Sequence, residues 1–421
     1  MLRLRRLILA LVVILLALLP MHAWAWSHQG HILITRLACL RIIQDPTAPQ
    51  GLKDFLQAHM KADLTACENM ATGEIVGAEP DQYLTGFDGV ATLPDRIQGM
   101  PAGKKEIVPY GAPENKMHFL DLEVFCADPV YKVLPDQIIP QVPELKDISR
   151  NPADPRYKIG GYVVFRVPEQ YARLVKAMGP GDKVADAAVA LNAAGFLAHY
   201  LEDCHQPHHS TIDFKSLSYL AEKVKGVHTV KTIQADGTES ISYKSDSRAI
   251  DPHGAIEHQL FENAEEPRKS FRREFWTKLQ ANLTLLDAGK IALIPTPAPG
   301  AWTAPAEVSA PTTQPATAVA TTQPVPSFAS GKGFEYAYEI LRQGHQYLPL
   351  VGHASIPAFA NQTFDPAAYF AFKEKTSGAA GVDVKEETMS MVDLIALQNA
   401  RAVLAVEKTL RAAWSEAHGA K

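Results

Sequence analysis

A chain of 421 residues with 47% hydrophobic and 21% charged side chains has the material for a large core, which excludes a disordered protein. Its 41 Lys and Arg against 46 Asp and Glu leave a net charge of −5, which excludes a protein that grips polyanions by general positive charge. Any affinity for phosphate esters must have another source, and bound metal is the direct one.

The chain opens on Arg3, Arg5 and Arg6, an apolar run from Leu7 to Leu19, and Ala23-Trp24-Ala25, the pattern of a secretory leader over residues 1–25. At 13 residues the run is short of the roughly 18–20 that a bilayer span needs. A secreted or periplasmic protein with no stable membrane span after leader removal is therefore expected. Without the leader and its three arginines, 396 residues remain with 38 basic and 46 acidic side chains, a net −8.

Apolar residues at helical spacing predict helices over Gly30 to Ile43, Pro49 to Met60, Pro168 to Met178, Val184 to Cys204, Ile256 to Ala264, Phe271 to Ala288, Phe334 to Tyr347 and Met389 to Ala417. The Val184 to Cys204 stretch is apolar nearly all round, which places it inside a bundle. One hairpin is expected where VHTVKTIQ and ESISYKS flank Ala235-Asp236-Gly237-Thr238. The Pro/Ala/Thr/Gln tract at 295–331 reads as a loop inserted into one domain spanning 26–421, because lengthening a surface loop costs little entropy. Export permits disulfides among Cys39, Cys67, Cys126 and Cys204, with three possible pairings, and no spacing resembles a zinc-thiolate motif. No oligomeric state follows from the sequence.

The chemistry concentrates in histidines. His199, His205, His208 and His209 fall in H-Y-L-E-D-C-H-Q-P-H-H, where His199 and Asp203 are four apart and share a helix face, fit to grip one cation. Pro207 ends that helix and lets His209 swing back. His258 and Glu262 are also four apart, but so are His253 and Glu257, so spacing alone does not choose between them. His345 and His353 are isolated and read as packing or surface residues. If cleavage follows Ala25, Trp26 carries a free amine that forms a five-membered chelate with its own carbonyl oxygen, with His31 close enough to complete it.

Together W-S-H-Q-G-H, H-F-x-D, H-x-x-x-D-x-H-Q-P-x-H and H-x-x-x-[DE] resemble, in order, the trinuclear zinc phosphoesterases. Its branches are the single-strand-specific nucleases of fungi and plants and the bacterial zinc-dependent phospholipases C. The resemblance implies an all-α, multi-helix bundle around three Zn2+ ions. His118, His199, Asp203 and an upstream Asp would hold the first; Asp203 would bridge to a third, held also by Trp26 and His31; His209, His258 and Glu262 would hold the second. His205 would orient a ligand. A-T-L-P-D-R-I-Q nominates Asp95, 23 residues before His118, and G-A-E-P-D-Q-Y nominates Asp81, 37 before; the shorter gap favours Asp95. The nucleases carry an Arg three residues after this Asp, where Gln98 stands here.

The implied reaction is attack of zinc-activated hydroxide on a phosphodiester, with Asp203 bridging metals and Asp95 able to accept the attacking water's proton. Phe119 and Asp121 match positions where the nucleases stack and hydrogen-bond an unpaired base. The five-residue spacing from Trp26 to His31 and the intact H-Q-P-x-H favour an endonuclease on single-stranded nucleic acid; Phe261-Glu262 favours the alternative, a phospholipase C acting on phospholipid. A non-catalytic zinc-binding surface protein is the third reading, motivated by Gln98 and the Pro/Thr tract.

Overall fold

The computed structural model describes residues 27–60, 63–74, 86–98, 110, 112–126, 142–233, 237, 239–261, 265–293, 332–376 and 387–419. The leader, Trp26, Asp81, Glu262 and the 295–331 tract lie outside them. The described residues form fifteen α-helices and two short antiparallel strand pairs. The N-terminal group is α1 (Ser27–Gln44), α2 (Gln50–His59), α3 (Leu64–Thr72), α4 (Phe87–Val90) and α5 (Leu93–Gln98). Next come α6 (Tyr157–Gly160), α7 (Val163–Met178), α8 (Ala187–Cys204), α9 (Leu217–Leu220) and α10 (Pro252–Glu257). The C-terminal group is α11 (Arg268–Asp287), α12 (Gly333–His345), α13 (Leu348–Ala358), α14 (Pro366–Phe370) and α15 (Met391–His418).

Local chemistry sets many of these boundaries. Asp63, Asp186 and Asp365 cap α3, α8 and α14 by accepting from the backbone N–H three residues on, and Gly73 ends α3 in the left-handed region. Ser390 and Asp393 form a reciprocal capping box at the start of α15. α8 and α15 form the centre: α8 packs on α7, α4 and α15, and α15 also packs on α11, α1 and α7. One core runs from Leu33 to Trp414 and includes side chains from both sides of the 295–331 tract. No helix among the described residues is long and apolar enough to cross a membrane.

The hairpin forms as expected, β1 (Val227–Ile233) pairing antiparallel with β2 (Glu239–Ser245), with Gly237 at φ 81°. A second pair, β3 (Lys373–Thr376) and β4 (Glu387–Ser390), was not expected, because KEKT and ETMS lack an apolar alternation. α7 begins five residues before Pro168, which sits inside the helix. The expected helix over Ile256 to Ala264 is displaced: Pro252, pre-set for a first helical turn, starts α10 early, and α10 ends at Glu257. None of the four cysteines forms a disulfide.

Candidate metal centre

Six segments bring eight buried ligand-type side chains together. α1 carries His31, α5 carries Asp95, and His118 follows the 3-10 turn Glu114–Met117. α8 ends on His199 and Asp203, the turn Pro207–Ser210 supplies His209, and α10 supplies His253 and Glu257. None of the eight is more than 6% exposed.

Four donors form the tightest set. His118 Nδ1 lies 3.0 Å from both His199 Nε2 and Asp203 Oδ2, and the latter two are 3.2 Å apart. Asp95 Oδ1 lies 3.6 Å from each imidazole nitrogen. Ligands about 2.0–2.2 Å from one tetrahedral zinc would be separated by roughly 3.3–3.6 Å, so these spacings suit a single ion. Asp203 turns its other oxygen, Oδ1, to His31 Nε2 at 3.6 Å, and Asp95 Oδ2 lies 3.7 Å from the same nitrogen. Each carboxylate thus presents one oxygen to the His118/His199 side and one to the His31 side. Trp26, nominated to complete the third position, lies outside the described residues.

The second set differs from the sequence expectation. His209 Nε2 meets Glu257 Oε1 at 3.2 Å and His253 Nε2 at 3.3 Å, and His253 Nε2 meets Glu257 Oε1 at 2.5 Å. His258, nominated by the resemblance, caps the end of α10, is partly exposed and lies 3.7 Å from the far oxygen of Glu257. Glu262 lies outside the described residues. The pair that the described residues bring to the site stands five residues earlier in the chain than the nominated one. Because α10 starts at Pro252, His253 and Glu257 share its inner face and His258 does not.

Anchors outside the centre set which ring nitrogen faces inward. His199 Nδ1 donates to the Ala91 carbonyl at 2.7 Å, His209 Nδ1 to the His118 carbonyl at 2.8 Å, and His31 Nδ1 meets Glu202 Oε2 at 2.5 Å. In all three Nε2 is left to face the other ligands, the tautomer a metal-binding imidazole needs. Thr35 holds the other Glu202 oxygen at 2.8 Å, and Gln206 donates to Glu257 Oε1 at 2.6 Å. Tyr200 on α8 donates to Glu114, tying the turn before His118 to the helix that carries His199.

The charges are strongly coupled. Burial pushes the Asp95 carboxyl up to about 7 even against the pull of His31 and His118. Burial would raise Asp203 too, but His199 and His209 hold it well below the usual range, and His253 and His209 bring Glu257 down to about 2. Burial alone would lower His31 and His209, yet Glu202 raises the first to about 9, and Asp203 and Glu257 raise the second to about 9. Burial, reinforced by neighbouring His31 and His118, takes His199 down to about 3, despite Asp203.

Other nominated residues fall elsewhere. Phe119 is half-buried, with the Lys116 ammonium 5.0 Å from its ring centre. Its backbone crosses Gly161 so closely that a Cβ there would sit 2.2 Å from the Phe119 carbonyl oxygen. Asp121 is 8% exposed, and burial pushes its carboxyl well up. His205 Nδ1 donates to the Leu201 carbonyl on its own helix, and its carbonyl accepts from Gln398 on α15, so it braces the helix end instead of a ligand. His345 is buried and donates to the Ser210 carbonyl beside His209, while His353 pairs with Glu374 near the surface. Glu202 and Gln206 were not singled out in the sequence. Their only signal there is adjacency to Asp203 and membership of H-Q-P.

The residues fit a zinc cluster on chemical grounds: a hard and borderline set of imidazole and carboxylate donors. Among them His31 Nε2, Asp203 Oδ1, His253 Nδ1 and Glu257 Oε2 are buried with no hydrogen-bond partner. Such orphaned polar atoms are costly in a dry interior, and a cation between His31 Nε2 and Asp203 Oδ1 would relieve those two. No family model, curated protein or solved structure matches the chain.

Proposed function

We propose that the chain is a secreted zinc-dependent phosphodiester hydrolase in the manner of the trinuclear zinc phosphoesterases, acting on single-stranded nucleic acid. The observation that supports it most is the four-donor set of Asp95, His118, His199 and Asp203 at 3.0–3.6 Å, joined through Asp203 to His31 and flanked by His209, His253 and Glu257. Zinc bound there supplies a water of lowered pKa and positive charge for the phosphoryl oxygens. The protein's part is to orient and to handle protons. Asp203 is shared between two positions, and His31, His199 and His209 are each locked by an outside acceptor. Asp95, with one oxygen toward the His118/His199 side and one toward His31, is placed to accept a hydrogen bond from the attacking water through the oxygen that no metal takes.

The H-Q-P-x-H motif and the five-residue interval from Trp26 to His31 support nucleic acid as substrate. The placement of Phe119 and Asp121 lends no weight to base stacking, since Lys116 lies over the one and the other is buried. Single-stranded DNA, RNA and phosphatidylcholine vesicles incubated with the processed, zinc-loaded protein, with and without chelator, separate the readings. Zinc-dependent cleavage of DNA or RNA is expected. Turnover of lipid alone would reassign the substrate, and turnover of no diester would remove the hydrolase reading in favour of a zinc-binding surface protein.

A further inference from the structure

His209 stands in a single 3-10 turn, Pro207–Ser210, which Thr211 leaves in extended conformation. So short a turn cannot fix its own direction by helical hydrogen bonds, and a ligand on it is aimed only as well as the backbone beside it is held. Two residues distant in sequence do the holding. Glu123, on the 3-10 turn Leu122–Phe125, accepts from the Thr211 hydroxyl at 2.5 Å and from the Ile212 N–H at 3.2 Å. From α12, whose last residue is His345, Nδ1 comes within 3.0 Å of the Ser210 carbonyl oxygen and 3.1 Å of Ser210 Oγ. The Ser210 hydroxyl spends its own hydrogen on the Pro207 carbonyl at 2.6 Å, so the imidazole is the donor to Ser210.

His345, Ser210 and Thr211 are buried, and His345 Nε2 lies 3.8 Å from Glu123 Oε1, so the two holding groups also face each other. A carbonyl deprived of its donor in such a place finds no water to replace it and must turn toward another partner. His209, one residue away, would turn with it. We propose that His345 and Glu123 are positioning residues of the second ligand set. They fix the backbone at 210–212 so that His209 Nε2 keeps its place against His253 and Glu257. The nitrogens of His345 meet Ser210 and Glu123 and not a ligand of the centre, so it acts through the backbone. Its isolation in the sequence reads as packing, and the contacts give it this narrower task. Because α12 follows the 295–331 tract, the centre draws on both sides of that tract.

The role toward zinc rests on the proposed metal reading, but the hold on the backbone does not. Hydrogen exchange of the chelator-treated full chain tests the hold at two amides: Leu120, which donates to the His209 carbonyl, and Ile212, which donates to Glu123. His345→Leu keeps apolar bulk and removes the donor, and should speed exchange at both about tenfold while amides in the middle of α11 keep their protection. His345→Asn sets an amide N–H near the place of Nδ1 and should restore most of that protection. In zinc titration, His345→Leu should weaken the one equivalent that depends on His253 about tenfold relative to the rest, with His345→Asn again recovering it. His353→Leu, whose native ring pairs with Glu374 near the surface, should change neither readout. Unchanged exchange and affinity in His345→Leu, no recovery in His345→Asn, or a loss spread evenly over every zinc and the α11 amides would each overturn the proposal. A wild type that binds no zinc, with exchange at Leu120 and Ile212 still sped by His345→Leu, would remove the metal reading and leave the hold on His209 standing.

Discussion

Single residues in this centre differ in what they give up when changed. Glu202 touches no other ligand-type side chain as closely as it touches His31, and its role is to hold that ring with Nε2 inward. Glu202→Ala should lower zinc affinity at the His31 position about 10–100-fold, the usual cost of losing an orienting carboxylate, while Glu202→Gln keeps an acceptor and loses less. Zinc titration against a competing chelator reads both, and an unchanged affinity in the alanine variant refutes the role. A second test follows from the shifted pair: His253→Ala should remove about one equivalent of bound zinc and His258→Ala should not, with the opposite result restoring the choice that the resemblance implies. Sequence made His199, Asp203 and His209 legible because they share one short motif. Spacing could not choose between His253/Glu257 and His258/Glu262, because both pairs stand four apart; the start of α10 at Pro252 turns His253 and Glu257 toward His209, and that boundary is a property of the fold.

At the level of elements, the central helix was the easiest to foresee and its close neighbours the hardest. The apolar run that became α8 has no competing pattern, whereas β3 and β4 are too short and polar to announce themselves. Gly195 is the point where α8 admits α4: a Cβ there would lie 2.5 Å from a Val90 methyl and 3.0 Å from the Val90 backbone carbonyl carbon. That approach delivers the Ala91 carbonyl to His199 Nδ1. Gly195→Ala should therefore cost about 1–3 kcal/mol of stability through overpacking, despite alanine's better helix propensity. It should also weaken zinc binding at the His199 position. Chemical denaturation with zinc titration checks both, and a gain in stability would show that α4 can move away without penalty.

For the molecule as a whole, the centre is a concentration of buried charge that the surrounding apolar core cannot solvate. Asp95, Glu202, Asp203 and Glu257 are all essentially buried. A metal that binds only the folded chain stabilises it by mass action, about 2.7 kcal/mol at a hundredfold excess over its dissociation constant. Scanning calorimetry should show the melting temperature fall by about 5 °C or more on chelation and return with zinc. A midpoint indifferent to chelator would mean that the fold carries these charges unaided. The helical class was readable from periodicity alone. The way six segments far apart in sequence converge on one buried point was not, since it depends on backbone contacts such as Leu120 N–H to the His209 carbonyl at 2.9 Å.

That contact has a counterpart running the other way, from His209 Nδ1 to the His118 carbonyl. The segment that carries His118 and the segment that carries His209 thus hold each other at two points, like hands clasped at the wrist. Seating an ion against His118 stiffens the strap that aims His209, so the ordering entropy of the second position is already spent when its ion arrives. Filling should therefore proceed as a concerted event, with few half-loaded molecules at intermediate zinc.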